Sequence, residues 1–239
     1  MLNGKVVLVV GGAAGIGRAT AELCAARGAS VVVADIDAAA GAAVAEAIGG
    51  FFLPINVTDA ASVQALMDAI AARFGRLDAL IQTAGVLKGA YAPVDDFPFD
   101  AWRAVLDVNL TGSFLCARHA APLLRRAGGG VIVLLSSGAA VNGSSSVAYG
   151  ASKGGVNGLG ITLANKLAGE NIRVNVVMPG NIDTAMKRYV ISVEAEKAGK
   201  TLEDAVADSR LGAPEGVAKV LAWLVSDDAD YVRGMISTR

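Results

Sequence analysis

The chain holds one histidine, two cysteines and six prolines in 239 residues. With His119 alone, a His/Cys zinc site, a Ser-His-Asp triad and a Cys-His pair are all hard to assemble, and no metal is expected. His119 itself reads as a surface or helix-packing residue. Cys24 and Cys116 form no spaced motif and fall inside helical patterns, which predicts free thiols in a reducing cytoplasm. Charge is scarce as well: 18% of residues are charged, 21 basic against 22 acidic, for a formal net charge of −1. That balance builds no basic face, so neither nucleic acid nor an anionic membrane is an expected partner. Long apolar runs are missing too, although apolar residues make up 54% of the chain and the mean hydropathy is +0.51. The charge-free stretch 127–152 is broken by Gly128, Gly129, Gly130, Ser136, Ser137, Asn142 and three further serines, Ser144 to Ser146. It reads as a buried strand and a polar loop, not as the ~20 apolar residues of a membrane span. Residues 6–10 are too short for a secretory leader and run straight into glycines, in keeping with a cytoplasmic chain.

What is present is alternation. Short aliphatic runs at 5–10, 30–35, 51–55, 77–81, 131–135 and 173–178 read as strands apolar on both faces, as buried parallel strands are. Ala-rich stretches of helical period lie between and after them at 16–27, 38–48, 60–74, 102–126, 148–167 and 215–226, and residues 235–237 read as the start of a last strand. Strand-helix alternation at this spacing implies right-handed crossovers and a doubly wound parallel α/β sheet with helices on both faces, a three-layer αβα arrangement. No internal repeat or Pro/Ser linker divides it, so residues 1–239 read as a single domain. In such a sheet ligands bind beyond the carboxyl ends of the strands.

Those ends carry the chemistry. After the first strand comes Gly11-Gly12-Ala13-Ala14-Gly15-Ile16-Gly17 and then a helix. Glycines allow a sharp turn and close backbone approach to a diphosphate, while a helix amino end offers free N–H groups to it; a plain tight turn would use glycines too. Asp35 ends the second strand 24 residues beyond Gly11, near the ~20 expected of a carboxylate binding an adenine ribose. The other reading of Asp35 is a strand-end turn residue. A carboxylate there would repel a 2′-phosphate, Ala14 and Ile36 supply no cation, and Arg18 reads as serving its own helix surface, which favours NAD over NADP. Farther along, Tyr149 and Lys153 are four apart in a helical segment and face the same way. An ammonium beside a phenol favours the phenolate, which predicts a lowered tyrosine pKa, although a solvated helix face also yields this spacing.

Together these residues resemble the short-chain dehydrogenase/reductase family of the Gly-rich, Tyr-x-x-x-Lys type, over essentially the whole chain. The resemblance implies a Rossmann-like NAD(P) domain, hydride transfer between a nicotinamide and a carbonyl or alcohol carbon, and a tetrad matched by Asn109, Ser137, Tyr149 and Lys153, with Ser136 as the alternative serine. It implies that Ser137 holds the substrate oxygen and Tyr149 exchanges its proton. Lys153 would lower the tyrosine pKa and hold the nicotinamide ribose, and Asn109 would link the site to solvent through its backbone and a water. It further implies cofactor contacts at Gly11, Gly15, Ile16, Gly17, Asp35, Asn56, Val57, Ala84 and Gly85, and at Pro179, Gly180, Ile182 and Thr184 of a Pro-Gly-x-Ile-x-Thr pattern. The chain departs from the family at Val10 in place of threonine, at Gln82-Thr83 in place of Asn-Asn and at Asn56 in place of aspartate. It also ends at Ser237-Thr238-Arg239, short of the usual Asp-Gly-Gly tail, which bears on subunit contacts. The resemblance implies a homo-oligomer, a dimer or tetramer.

Residues 138–147 and 185–210 are expected to line the substrate pocket, the latter as a mobile lid. No cation cluster for a carboxylate or a phosphopantetheine arm stands out, so the expected substrate is an uncharged or mostly apolar secondary alcohol or its ketone. Two rival readings remain: an NADPH-dependent 3-oxoacyl-carrier-protein reductase, and a non-catalytic dinucleotide-binding sensor.

Overall fold

The structure, a computed structural model, describes residues 1–238. Seven parallel strands, β1 (Val6–Val10), β2 (Ser30–Asp35), β3 (Phe51–Pro54), β4 (Ala79–Gln82), β5 (Gly130–Leu135), β6 (Ile172–Met178) and β7 (Gly234–Ser237), form one sheet in the order β3-β2-β1-β4-β5-β6-β7. Val7, Leu8, Val9 and Val10 are all buried because the sheet is covered on both faces, so alternate β1 side chains enter opposite cores. The helices are α1 (Gly15–Ala26), α2 (Ala38–Ala47), α3 (Ala60–Phe74), α4 (Phe99–Leu106), α5 (Gly112–Arg126), α6 (Ala139–Asn142), α7 (Val147–Leu167), α8 (Ala185–Ala198), α9 (Leu202–Asp208) and α10 (Pro214–Leu224). Asp37, Asp59, Ser146, Thr184 and Thr201 accept backbone N–H bonds at the starts of α2, α3, α7, α8 and α9, which satisfies amides that a helix leaves free. At the amino edge of the sheet, Arg173 of β6 donates to the carbonyls of Leu224, the last residue of α10, and of Ser226 just after it. The strand order reverses between β1 and β4, which opens a crevice at their carboxyl ends.

The expected single helix over 102–126 is two. It begins three residues earlier, as α4, and opens into one wide π turn over Asp107–Thr111 before resuming as α5. Such a turn inserts one residue into a helix, and side-chain bonds hold it: Asn109 Nδ2 donates to Val86 O at 2.9 Å, Val86 N–H donates to Asn109 Oδ1 at 2.8 Å, and Ser113 Oγ donates to Asn109 O at 2.6 Å. Apolar periodicity cannot register these bonds because they cross from the helix to a loop. Residues 185–210, expected to form a lid, are helical in two pieces, α8 and α9. No helix among the described residues is long and apolar enough to cross a membrane.

Candidate active site

The crevice is a cleft of about 780 Å³ beyond the carboxyl ends of β1, β2, β4, β5 and β6. Gly11, Gly15, Ile16, Gly17, Asp35, Asn56, Val57, Ala84, Gly85, Ser137, Tyr149, Lys153, Pro179, Gly180, Ile182 and Thr184 all line it. Asn109 lies beneath the wall, fully buried.

The glycine turn is tight enough to exclude side chains. A Cβ on Gly17 would sit 2.0 Å from Gly11 O, and one on Gly11 would sit 2.5 Å from Ala84 N, with φ at +81°. Both positions therefore require glycine. The turn is braced from the β4 side, because Thr83 Oγ1 donates to Val10 O at 2.7 Å. The hydroxyl that the family carries at position 10 is thus supplied from position 83, a compensation between two departures that each looks like a loss in isolation. Asp35 holds the same loop, accepting from Ala13 N–H at 2.9 Å and from Asp37 N–H at 3.1 Å. Arg18 pairs with Glu22 on the surface of α1 at 2.8 Å. Asn56 Oδ1 accepts the Thr58 N–H at 3.1 Å and the Thr58 hydroxyl at 2.8 Å, which occupies both lone-pair directions of that oxygen within its own turn. The close glycine turn, a carboxylate at the end of β2 and a long cleft joining them to the reactive end fit a nicotinamide dinucleotide.

At the reactive end the two serines separate. Ser136 Oγ donates to the Lys153 carbonyl at 3.0 Å and is buried, so it serves the seating of α7. Ser137 Oγ accepts from Ala139 N–H at 3.2 Å, and the same hydroxyl is close enough to the Tyr149 phenol to lower its pKa. Tyr149 and Lys153 share the cleft face of α7, with Lys153 Nζ 5.7 Å from the tyrosine ring centroid. The ammonium, 3% exposed, donates to Leu135 O at 2.6 Å. Burial lowers Lys153 to about 8, since the low-dielectric site disfavours its charge. Burial also raises the Tyr149 phenol, opposed by the Ser137 hydrogen bond. The phenol therefore lies above its ordinary value where the sequence predicted a lowered one: desolvation outweighs the Ser137 contact, and the Lys153 ammonium donates to the Leu135 carbonyl. Gly85 explains how the groups fit together, because a Cβ there would lie 3.3 Å from Asn109 Oδ1 and 3.4 Å from Lys153 Nζ.

Sequence reasoning missed Ser152, which donates to Tyr149 O at 2.9 Å and accepts from Asn109 Nδ2 at 2.9 Å. It thereby ties the π turn to the helix bearing the tyrosine. A serine one residue before the lysine was the only signal. The two thiols are remote from this chemistry: burial pushes both Cys24 and Cys116 up to about 12.

A Rossmann-like sheet with this cleft and this cluster of side chains defines a nicotinamide-linked oxidoreductase class, and the chain belongs to the short-chain dehydrogenase/reductase family. The family model described as enoyl-(acyl carrier protein) reductase matches residues 11–238. Among curated relatives, the chain is 37% identical over 241 residues to the 3-oxoacyl-(acyl-carrier-protein) reductase FabG of Thermotoga maritima, covering 98% of this chain and 96% of that protein. It is 41% identical over 238 residues to the cis-4-hydroxycyclohexanecarboxylate dehydrogenase of Sinomonas cyclohexanicum, covering 97% and 93%. Among solved structures, levodione reductase superposes with a TM-score of 0.90 at 31% identity, covering 99% of this chain and 96% of that one.

Proposed function

We propose that the protein transfers a hydride between NAD(H) and a secondary alcohol or its ketone, with Tyr149 as general acid and base. The observation that carries this reading is the meeting of Ser137, Tyr149 and Lys153 at one end of a continuous cleft that also takes in Asp35. A bound nicotinamide dinucleotide would supply the hydride donor or acceptor. Gly11, Gly15, Ile16 and Gly17 would present backbone N–H groups and the amino end of α1 to its diphosphate. Asn56, Val57, Ala84 and Gly85 would flank the adenosine, and Pro179, Gly180, Ile182 and Thr184 the nicotinamide amide. Ser137 would hold the substrate oxygen while the Tyr149 hydroxyl gives it a proton in reduction or takes one in oxidation. Burial favours the protonated phenol, which suits ketone reduction at neutral pH. Lys153 would hold the ribose hydroxyls. Asn109 completes the set at its backbone carbonyl, where a water relay would leave the site.

Asp35 supports NAD over NADP, because it faces the cleft and among the described residues no neighbouring cation is free to receive a 2′-phosphate: Arg18 is paired with Glu22. The relatives that reduce 3-oxoacyl-carrier-protein favour a second reading, an NADPH-dependent reductase of such thioesters. The deciding measurement is steady-state reduction of cyclic ketones and of an acetoacetyl thioester, each with NADH and with NADPH. Turnover of ketones with NADH supports the first reading; turnover confined to the thioester with NADPH replaces it. Tyr149→Phe should lower kcat at least about 10³-fold while leaving the Kd for NADH within a few-fold. We also place the protein in the cytoplasm as a dimer or tetramer with a small-molecule substrate. The exposed Phe99, Phe114 and Ile161 on α4, α5 and α7 support self-association.

A further inference from the structure

Tyr91, in the loop between β4 and α4, has a φ of +58°, a left-handed conformation that a bulky residue takes only when its surroundings hold it there. Three contacts hold it. Its N–H donates to Ser145 O at 2.5 Å, its carbonyl accepts from Lys197 Nζ at 2.9 Å, and its hydroxyl donates to Glu194 Oε2 at 3.0 Å. The Lys197 ammonium lies 5.4 Å from the ring centroid as well. Glu194 and Lys197 are three residues apart on α8, so they meet Tyr91 from one helix face. A parallel tie runs from Ser146 Oγ to Lys88 O at 2.7 Å. One residue therefore joins three segments: the β4–α4 loop, the loop before α7 and the lid helix α8. Tyr91 also lines the substrate end of the cleft, together with Val86, Leu87, Met186 and Val190.

We propose that Tyr91 is a specificity-determining residue that pins α8 across the end of the substrate chamber and so limits the length of the carbonyl compound admitted. The proposal rests on the reading of the protein as a carbonyl reductase, and it narrows the substrate class to compact, mostly apolar ketones and alcohols. A tyrosine stands here in a conformation that glycine would adopt without strain, and its ring is what shortens the chamber. Long acyl chains would have to displace both the ring and α8.

The test uses the full chain, wild type and two variants, Tyr91→Gly and Glu194→Ala. The substrates are cyclohexanone, 4-tert-butylcyclohexanone and 4-phenylcyclohexanone, each with NADH and NADPH. In the wild type, kcat/KM should fall about tenfold or more from the first ketone to the last, in line with what pocket size discriminates. Tyr91→Gly should remove most of that fall, and Glu194→Ala, which leaves the loop intact, part of it. A fall as steep in both variants as in the wild type overturns the proposal, as does a wild type that reduces all three ketones equally well. Trypsin provides a second readout that needs no turnover: cleavage after Lys197 should be several-fold faster in both variants, and unchanged cleavage overturns the pinning of α8. If the wild type reduces no ketone with either cofactor, the carbonyl-reductase reading fails, and the protease result still decides whether Tyr91 holds the helix.

Discussion

At the residue scale, the reactive end is governed by burial more than by charge pairing. The Tyr149 phenol is raised by desolvation, and the Ser137 hydrogen bond pulls it back down. Alcohol oxidation needs the deprotonated phenol, so its rate should climb with pH into the alkaline range. Ser137→Ala removes the lowering contact and should move that climb to higher pH, as well as reducing kcat; a profile of log kcat against pH for oxidation checks both. Lys153 carries the opposite penalty. Its folded-state pKa is about 8 against an ordinary 10.5, so below pH 8 the fold holds a buried ammonium at a cost of roughly 3 kcal/mol. That cost is largest below pH 8, and stability recovers as pH rises from there toward 10.5. Lys153→Met removes the charge but leaves the Leu135 carbonyl without its donor, costing back about 1–3 kcal/mol. The melting temperature of that variant, read by calorimetry at pH 7, should lie between the wild-type value and about 8 °C above it, while turnover is lost.

At the scale of elements, the strands and the Tyr149 helix were legible because their signals are local: aliphatic runs for buried strands, four-residue spacing for one helix face. The break at Asp107–Thr111 was not, because its cause is a reciprocal pair of hydrogen bonds between Asn109 and Val86, 23 residues earlier in the chain. The same limit hid Ser152 and Tyr91, whose importance lies in partners brought in from other elements. It also hid the exchange between Val10 and Thr83, since a sequence pattern shows the missing hydroxyl but not the one that replaces it across the turn. The helices of the lid segment were not read either, having short amphipathic stretches without strong periodicity. One element-scale prediction follows from α7 against β6. A Cβ on Gly160 would stand 2.1 Å from Val176 Cγ2, and Val176 is β-branched and buried, so neither side can yield cheaply. Gly160→Ala should therefore cost about 1–3 kcal/mol despite the better helix propensity of alanine, lowering the melting temperature by roughly 3–10 °C.

At the scale of the whole molecule, every group assigned to chemistry hangs from the carboxyl edge of the sheet, and the doubly wound topology readable from strand-helix alternation places it there. The cleft spans that edge from Asp35 on β2 to Thr184 after β6, so the roles proposed for Asp35 in cofactor choice and for Tyr149 in the reaction fall in separate parts of it. Asp35→Ala should then shift kcat/KM toward NADPH relative to NADH by about tenfold or more, one step of ~1.4 kcal/mol, without altering the alkaline climb of alcohol oxidation. Competing turnover assays with the two reduced cofactors read the shift directly.

The extra residue wound into the π turn has a consequence for how this chain can change. Each residue of an α-helix advances the ladder by about 100°, so deleting a single position between 107 and 111 would give α4 and α5 one unbroken spiral and a more regular helix. The same excision would swing Asn109 away from Val86 and Ser152. The irregularity is thus self-protecting: a one-residue deletion that tidied the helix would break the bonds tying Asn109 to Val86 and Ser152.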